Sequence, residues 1–302
     1  MGALSITGIK PGSTSLKLTA GKITKTVPIT VLSRNLLSYG PAEGNGLTAT
    51  VNTDGSLHVT GAAARQWHGL SWTFPCPVQG TVKLSGTSIA GLSFNIKCLD
   101  AKGQQLGDQM NLGNSVMAIP AGTVSLFLNV ISAEATPTAK DGDLRIQLES
   151  GDTAHDWMKP DNTSLKGGGY ELANLYPRVT GLPKTLGTAP GITVTAPTPG
   201  TYRFKGSTTT AADSWNNLTN VVHVDAGTYT MDATDWPLGN NSWLMGIQAH
   251  ISHDDGSEGA NVFGPRDYGP KTLKAGTLQC NIFVNTTGEV DKTFTPRLYK
   301  ID

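Results

Sequence analysis

The chain has 302 residues, and its 23 basic side chains balance its 23 acidic ones, giving a formal net charge of zero with only 15% charged residues. That balance supplies no electrostatic pull toward a nucleic acid or an anionic membrane surface, so neither is expected as a partner. No apolar run approaches the roughly 18 residues needed to span a bilayer, and the N-terminus shows no basic segment followed by an apolar stretch and cleavage site.

With 36 glycines, 17 prolines and no long amphipathic helical period, the chain reads as all-β, with length for two domains and a fragment. Leu4 to Leu32 reads LSITGIKPGSTSLKLTAGKITKTVPITVL. Here Pro11-Gly12 supplies a turn and the alternating flanks supply strands. Thr48 to Gly61, TATVNTDGSLHVTG, alternates β-branched or apolar with polar residues on both sides of Asp54-Gly55. That is the pattern of a hairpin with one buried face.

The same pattern returns at Ile192 to Gly206, ITVTAPTPGTYRFKG, around Pro199-Gly200. Other landmarks recur in the same order. Asn35-Leu36-Leu37 matches Asn174-Leu175-Tyr176, and Gly80-Thr81-Val82 matches Gly227-Thr228-Tyr229. The run from Ile119 to Val130 matches that from Leu273 to Val284, and Leu144 to Glu149 matches Phe294 to Tyr299. A chain that repeats its strands while its loops drift in length is expected to hold two copies of one unit. Between them, Pro160 to Gly169 ends in three glycines and has linker composition. The expected divisions are 1–33, 34–165 and 170–302.

Two resemblances refine this. Ile6-Thr-Gly-Ile-Lys-Pro-Gly-Ser-Thr-Ser-Leu-Lys-Leu18 and Val27-Pro-Ile-Thr-Val31 resemble the closing strands of a group 2 bacterial immunoglobulin-like domain. The match covers about the last third of such a domain, which implies a piece without a complete core. Asn35-Leu-Leu, Leu144-Arg-Ile-Gln-Leu-Glu149, Gly151, Thr153-Ala154 and Trp157 resemble the jelly-roll modules of phage tail and baseplate proteins. Those modules are similar in fold to carbohydrate-binding modules. The resemblance implies two tandem antiparallel β-sandwiches of jelly-roll type preceded by an immunoglobulin-like fragment.

No serine sits in a G-x-S-x-G elbow, no H-E-x-x-H occurs, and no glycine pattern opens a helix after a strand, so no catalytic residue is assigned. Tryptophans carry more information. Sugars present flat C–H faces that stack on an indole and hydroxyl edges that need amide or guanidinium partners. Trp67 has His68 and Arg65 beside it, Trp215 has Asn216 and Asn217, and Trp236 and Trp243 bracket Asn240-Asn241. Trp67, His68, Arg65, Trp215, Asn216, Asn217 and Trp243 are the candidate carbohydrate ligands. Trp72 reads as core and Trp157 as the cover of an open edge.

The stretch HISHDDGSEGANVFGPRDY, from His250 to Tyr268, reads as a long polar loop. Its Asp254, Asp255 and Glu258 are the candidate metal ligands, with calcium the matching ion; a solvated loop tip is the plainer reading. With Asp267 they are also the carboxylates from which a glycan-cleaving pair could be drawn. Cys98 and Cys280 read as small core residues, and a Cys76–Cys98 bridge stays open.

The expectation is therefore a non-enzymatic phage-tail adhesion segment that binds host cell-surface polysaccharide, on a virion or other extracellular surface. Its implied partners are other tail proteins and further copies of itself. A purely structural spacer is the alternative, and a glycan-cleaving enzyme ranks below it.

Overall fold

The computed structural model describes residues 5–8, 11–187, 189–210, 218–232, 235–236 and 243–301. Among these, every regular element is a strand. The chain divides into two compact units, Met1–Glu171 and Leu172–Asp302.

The first unit opens with β1 (Gly12–Ala20) and β2 (Ile23–Val31), an antiparallel hairpin in which Gly12 faces Val31 and Ala20 faces Ile23. Its turn is at Gly21-Lys22 and not at Pro11-Gly12, because the alternation of Ser13 to Leu18 continues unbroken to Ala20. No residue of this hairpin is buried, and Ile23 is 75% exposed. Two strands alone cannot enclose a core.

The sandwich of the first unit contains β3 (Ala42–Gly44), β4 (Leu47–Val51), β5 (Leu57–Gly61), β6 (Gly69–Pro75) and β7 (Thr81–Thr87). It continues with β8 (Leu92–Leu99), β9 (Gln105–Asn111), β10 (Val116–Ala118), β11 (Ser125–Ser132), β12 (Lys140–Ser150) and β13 (Gly168–Tyr170). One sheet runs β10-β7-β12-β5-β4-β3 and the other β13-β6-β11-β8-β9. Period-two alternation gives each sheet an apolar face, and these form one core. Leu57, Val59, Leu84 and Ile146 come from the first sheet, and Trp72, Phe94, Ile96 and Leu128 from the second. Trp72 is 1% exposed, with its Nε1 donating to Gly40 O at 3.1 Å.

The second unit contains β14 (Lys184–Thr185), β15 (Ile192–Thr198), β16 (Thr201–Thr208), β17 (Leu218–Val224), β18 (Gly227–Asp232) and β19 (Met245–His253). It closes with β20 (Ala260–Phe263), β21 (Lys271–Leu273), β22 (Gly276–Val284), β23 (Gly288–Phe294) and β24 (Arg297–Lys300). Its sheets run β14-β15-β16-β23, β21-β18-β24 and β17-β22-β19-β20.

The two strand orders are the same. In the first unit β5-β12-β7-β10 faces β6-β11-β8-β9, and in the second β16-(β23, β24)-β18-β21 faces β17-β22-β19-β20. Both are the eight-strand order of a jelly roll. Thus the chain is all-β, with two tandem antiparallel sandwiches. The single strand β12 corresponds to β23 and β24, which are separated by Thr295-Pro296. A proline there cannot donate to a ladder. Both copied hairpins turn on a left-handed glycine, Gly55 at φ 93° and Gly200 at φ 81°.

The recurring asparagine has a physical role. Asn35 Oδ1 accepts from Leu37 N and Leu148 N, both at 3.2 Å, while its Nδ2 donates to Ile146 O at 2.8 Å and Met158 O at 2.9 Å. Asn174 repeats this with Tyr176 N, Leu298 N and Pro296 O, each at 3.0 Å. Each amide thus pins the entering chain to the last strand of its own sandwich.

Two sequence readings are corrected here. Pro160 to Gly169 is expected as linker, but Gly168–Tyr170 is a strand paired with Ser71, Leu70 and Gly69 of β6; Gly167 lies against Trp72 and Gly169 against Gly44, and no Cβ would fit at Gly167 or Gly44. His250–His253, read as loop, belongs to β19, whose alternation MGIQAHISH carries past His250; the connection to β20 is only 254–259. All three cysteines are free thiols; Cys98 and Cys280 are buried in the two cores, and Cys76 is half-buried with its Sγ donating to Val78 O.

Candidate functional site

The alternation that buries Met245, Ile247, Ala249 and Ile251 of β19 turns Gly246, Gln248 and His250 to the outer face of the β17-β22-β19-β20 sheet. Gly246 lies opposite Phe283 and Gln248 opposite Asn281 on β22. A side chain at Gly246 would meet the Phe283 ring, so the glycine makes room for an aromatic on the outer face. Phe283 is fully buried even so, and the Trp243 indole stacks against it, with centroids 6.1 Å apart and planes at 26°. Trp243 itself stays 44% exposed.

Beyond β20 the chain makes a tight turn, with Asp267 N donating to Gly264 O at 2.8 Å. Tyr268 anchors that turn: its hydroxyl donates to Ile247 O at 2.9 Å, and its carbonyl accepts from Thr230 Oγ1 at 2.8 Å and Met231 N at 3.1 Å. Between this turn and Trp243 lies a groove of about 540 Å³, lined by Trp243, Gln248, Asn261, Arg266, Asp267 and Lys271 among others. That volume falls within the range of small-ligand sites.

Polar groups in the groove are partly committed to one another. Lys271 Nζ donates to Asp267 Oδ2, and Gly269 N to Asp267 Oδ1 at 3.2 Å. The ammonium holds the Asp267 carboxyl below the usual carboxylate range. Asn261 Oδ1 lies 3.3 Å from His250 Nδ1. Arg266 is exposed and has no hydrogen-bond or ion-pair partner among the described residues.

Of the residues singled out from the sequence, Trp243 is in this groove. Trp215, Asn216 and Asn217 lie outside the described residues, as do Asn240 and Asn241. Trp67, His68 and Arg65 belong to the first unit, on the connection from β5 to β6. His68 is 7% exposed, its carbonyl accepting from Ser132 N at 3.0 Å. Trp67 and Arg65 are half-buried. Trp67 has φ 64°, a left-handed conformation costly for a bulky side chain, and is held there by donation of its N–H to Ser132 O at 2.8 Å. Its Nε1 is buried with no partner among the described residues.

The three acidic candidates do not converge. Asp254 Oδ2 pairs with His223 Nε2 at 2.8 Å. Asp255 accepts from Ser257 Oγ and from Lys274 Nζ at 2.9 Å, which together hold its carboxyl well below the usual range. Glu258 is exposed on the turn. Among the described residues no three His, Cys, Asp or Glu side chains are arranged to hold a metal ion. Asp254 is tied to the His223 ring and Asp255 to the Lys274 ammonium, so the two carboxylates are committed to different partners.

Gln248, Asn261, Arg266 and Lys271 were not singled out from the sequence. The alternation within MGIQAHISH could have put Gln248 on the outer face, but only the pairing of β19 with β20 brings Asn261 beside it.

No protein-family model matches the chain, and no curated protein sequence matches it. Slight structural similarity is found to the N-terminal CBM22-1–CBM22-2 tandem domain of Paenibacillus barcinonensis Xyn10C, at 12% identity and TM-score 0.27, over 89% of this chain and 97% of that one. The CUB1-EGF-CUB2 domains of rat MASP-1 match at 12% identity and TM-score 0.18, over 86% of this chain and 100% of that one. Lactobacillus farciminis oxalate decarboxylase matches at 10% identity and TM-score 0.16, over 90% of this chain and 88% of that one. Similarity this slight does not bear on what the groove binds.

Proposed function

We propose that the chain is a non-enzymatic carbohydrate-binding segment of a phage-tail adhesion protein, and that the second sandwich reads host surface polysaccharide through the Trp243 groove. The observation that carries the reading is an indole 44% exposed over a groove of amide, guanidinium and ammonium groups. An exposed indole offers a sugar's C–H face a flat apolar partner, and the surrounding donors reach its hydroxyl edge. A spacer has no use for an exposed ring held in place by a second aromatic beneath it.

The phage-tail assignment is supported by the resemblance at Asn35 to Leu37 and Leu144 to Trp157, and the immunoglobulin-like fragment by Ile6 to Leu18 and Val27 to Val31. Binding would be weak per site, and several copies in an assembled tail would raise it through effective concentration. Calcium has no part in this reading. Nor does catalysis: glycoside cleavage needs one carboxyl with a raised pKa, whereas those of Asp255 and Asp267 are both held low by their partners.

The test is a pull-down of the full chain on bacterial cell-wall and surface polysaccharides, with Trp243→Ala and Trp67→Ala beside the unaltered protein. Loss of retention in Trp243→Ala with folding intact supports the reading. Retention by no glycan at all supports the spacer, and release of soluble sugar the enzyme.

A further inference from the structure

The groove's hydrogen-bonding inventory is lopsided, and from it we infer that the ligand is an anionic polysaccharide, carrying carboxylate or phosphate groups, with Arg266 its charge-reading residue. This rests on the groove being a glycan site. Three charged side chains line it, Arg266, Asp267 and Lys271. Asp267 spends one oxygen on Lys271 and the other on Gly269 N, so these two opposite charges cancel locally. Arg266 is left as the one uncompensated charge among the lining residues, and it is exposed.

The neutral groups lean the same way. Asn261 commits its carbonyl oxygen to His250, and its amide nitrogen has no acceptor among the described residues. Lys271 uses one of its three N–H groups on Asp267. Among its charged and amide groups the donors left without a partner are the Arg266 fork, the Asn261 amide and the remaining ammonium protons, beside the residual lone pairs of Asp267. A neutral sugar hydroxyl both donates and accepts, and gains nothing from a net positive charge. A carboxylate or phosphate oxygen accepts only, and a guanidinium matches it through two parallel N–H donors.

Geometry adds a constraint on register. Arg266 and Asp267 sit on a turn closed by the Gly264–Asp267 backbone pair and anchored by Tyr268. The cation is thus carried by a tied turn, and a Cβ added at Gly264 of that turn would lie 3.8 Å from the Trp243 indole, so both groups border one groove. One residue of the glycan would stack on Trp243 while an acidic group on the same or the next residue meets Arg266.

The experiment measures affinity of the full chain for acidic bacterial polysaccharides and for the same polymers made neutral, by carboxyl reduction for uronates and by dephosphorylation for phosphodiesters. The two arms separate the two sources of negative charge. The expected result is a preference of about tenfold or more for the charged form, the scale of one charge-assisted pair, and weakening with added salt. Arg266→Ala should bring the charged-to-neutral ratio close to one, and Arg266→Lys should restore part of it. Trp243→Ala should lower binding to both forms and leave the ratio in place. Equal binding of charged and neutral forms, or a ratio unchanged in Arg266→Ala, would overturn the inference while the glycan-binding function stands. If no polymer binds in either form, both fall together.

Discussion

The Trp243 indole stacks against the Phe283 ring with centroids 6.1 Å apart, and Phe283 is fully buried while Trp243 remains 44% exposed. An exposed ring with a buried ring beneath it has one face packed and one free, the arrangement a stacking ligand needs. Of the other described tryptophans, Trp72 and Trp236 are buried and Trp67 and Trp157 half-buried. Acrylamide quenching of the native protein should therefore fall clearly in Trp243→Phe, whereas Trp72→Phe, which removes a buried emitter, should raise the accessible fraction slightly. Equal quenching in the Trp243 variant would mean that the ring is sealed.

The glycines at the start of β13 can be told apart by substitution. A Cβ at Gly167 would strike the Trp72 indole nitrogen and the backbone of β6, whereas one at Gly168 meets nothing within 4 Å. Gly167→Ala should lower stability by about 1–3 kcal/mol, the usual cost of overpacking; Gly168→Ala should stay within about 0.5 kcal/mol. Urea unfolding of the two variants checks this, and similar midpoints would return the segment to the status of a linker.

Asn35 and Asn174 should differ in cost although they share a role. Asn35 is 2% exposed and makes four hydrogen bonds, so Asn35→Ala strands buried backbone groups and should cost about 2–4 kcal/mol. Asn174 is exposed and makes three, and water can replace some of them, so Asn174→Ala should cost about 1 kcal/mol. Thermal melts that ranked the two in the opposite order would contradict this account of the anchor.

How much of this was legible beforehand follows from the range over which each signal acts. The hairpins at Gly55 and Gly200 and the Asn35/Asn174 repeat could be read because turn chemistry and alternation are local. The duplicated strand order followed from them. The strand at Gly168–Tyr170 could not, since three glycines carry no periodicity and only the Trp72 surface explains them. The groove was half visible: Trp243 stood out as an aromatic among amides, but Gln248, Asn261 and Arg266 meet only through the β19–β20 pairing and a turn anchored by Tyr268. The burial of His68 beside a half-buried Trp67 was not legible, because it depends on the Ser132 backbone of β11 pairing with that connection.

Acid sensitivity should centre on Glu149. Burial alone would raise its pKa, but donation from His155 N, Gln147 Nε2 and the His155 ring outweighs burial and holds it below 4.5. A carboxyl whose folded pKa is depressed stabilises the native state above its unfolded value, and that stabilisation is lost as pH falls through the folded value. Stability of the first unit should therefore decline below about pH 4.5, and Glu149→Gln should be less stable at pH 7 with a flatter acid limb. Parallel acid limbs in the two proteins would show that Glu149 carries none of the effect.

The central claim is that the Trp243 groove holds a glycan, and titration of the full chain with a retained surface polysaccharide, read by binding calorimetry, tests it most directly. The account predicts that Trp243→Ala weakens binding by about tenfold or more, an amount in keeping with loss of a stacked ring, while its thermal midpoint stays with that of the unaltered protein. Undiminished affinity in a folded Trp243→Ala protein would contradict it.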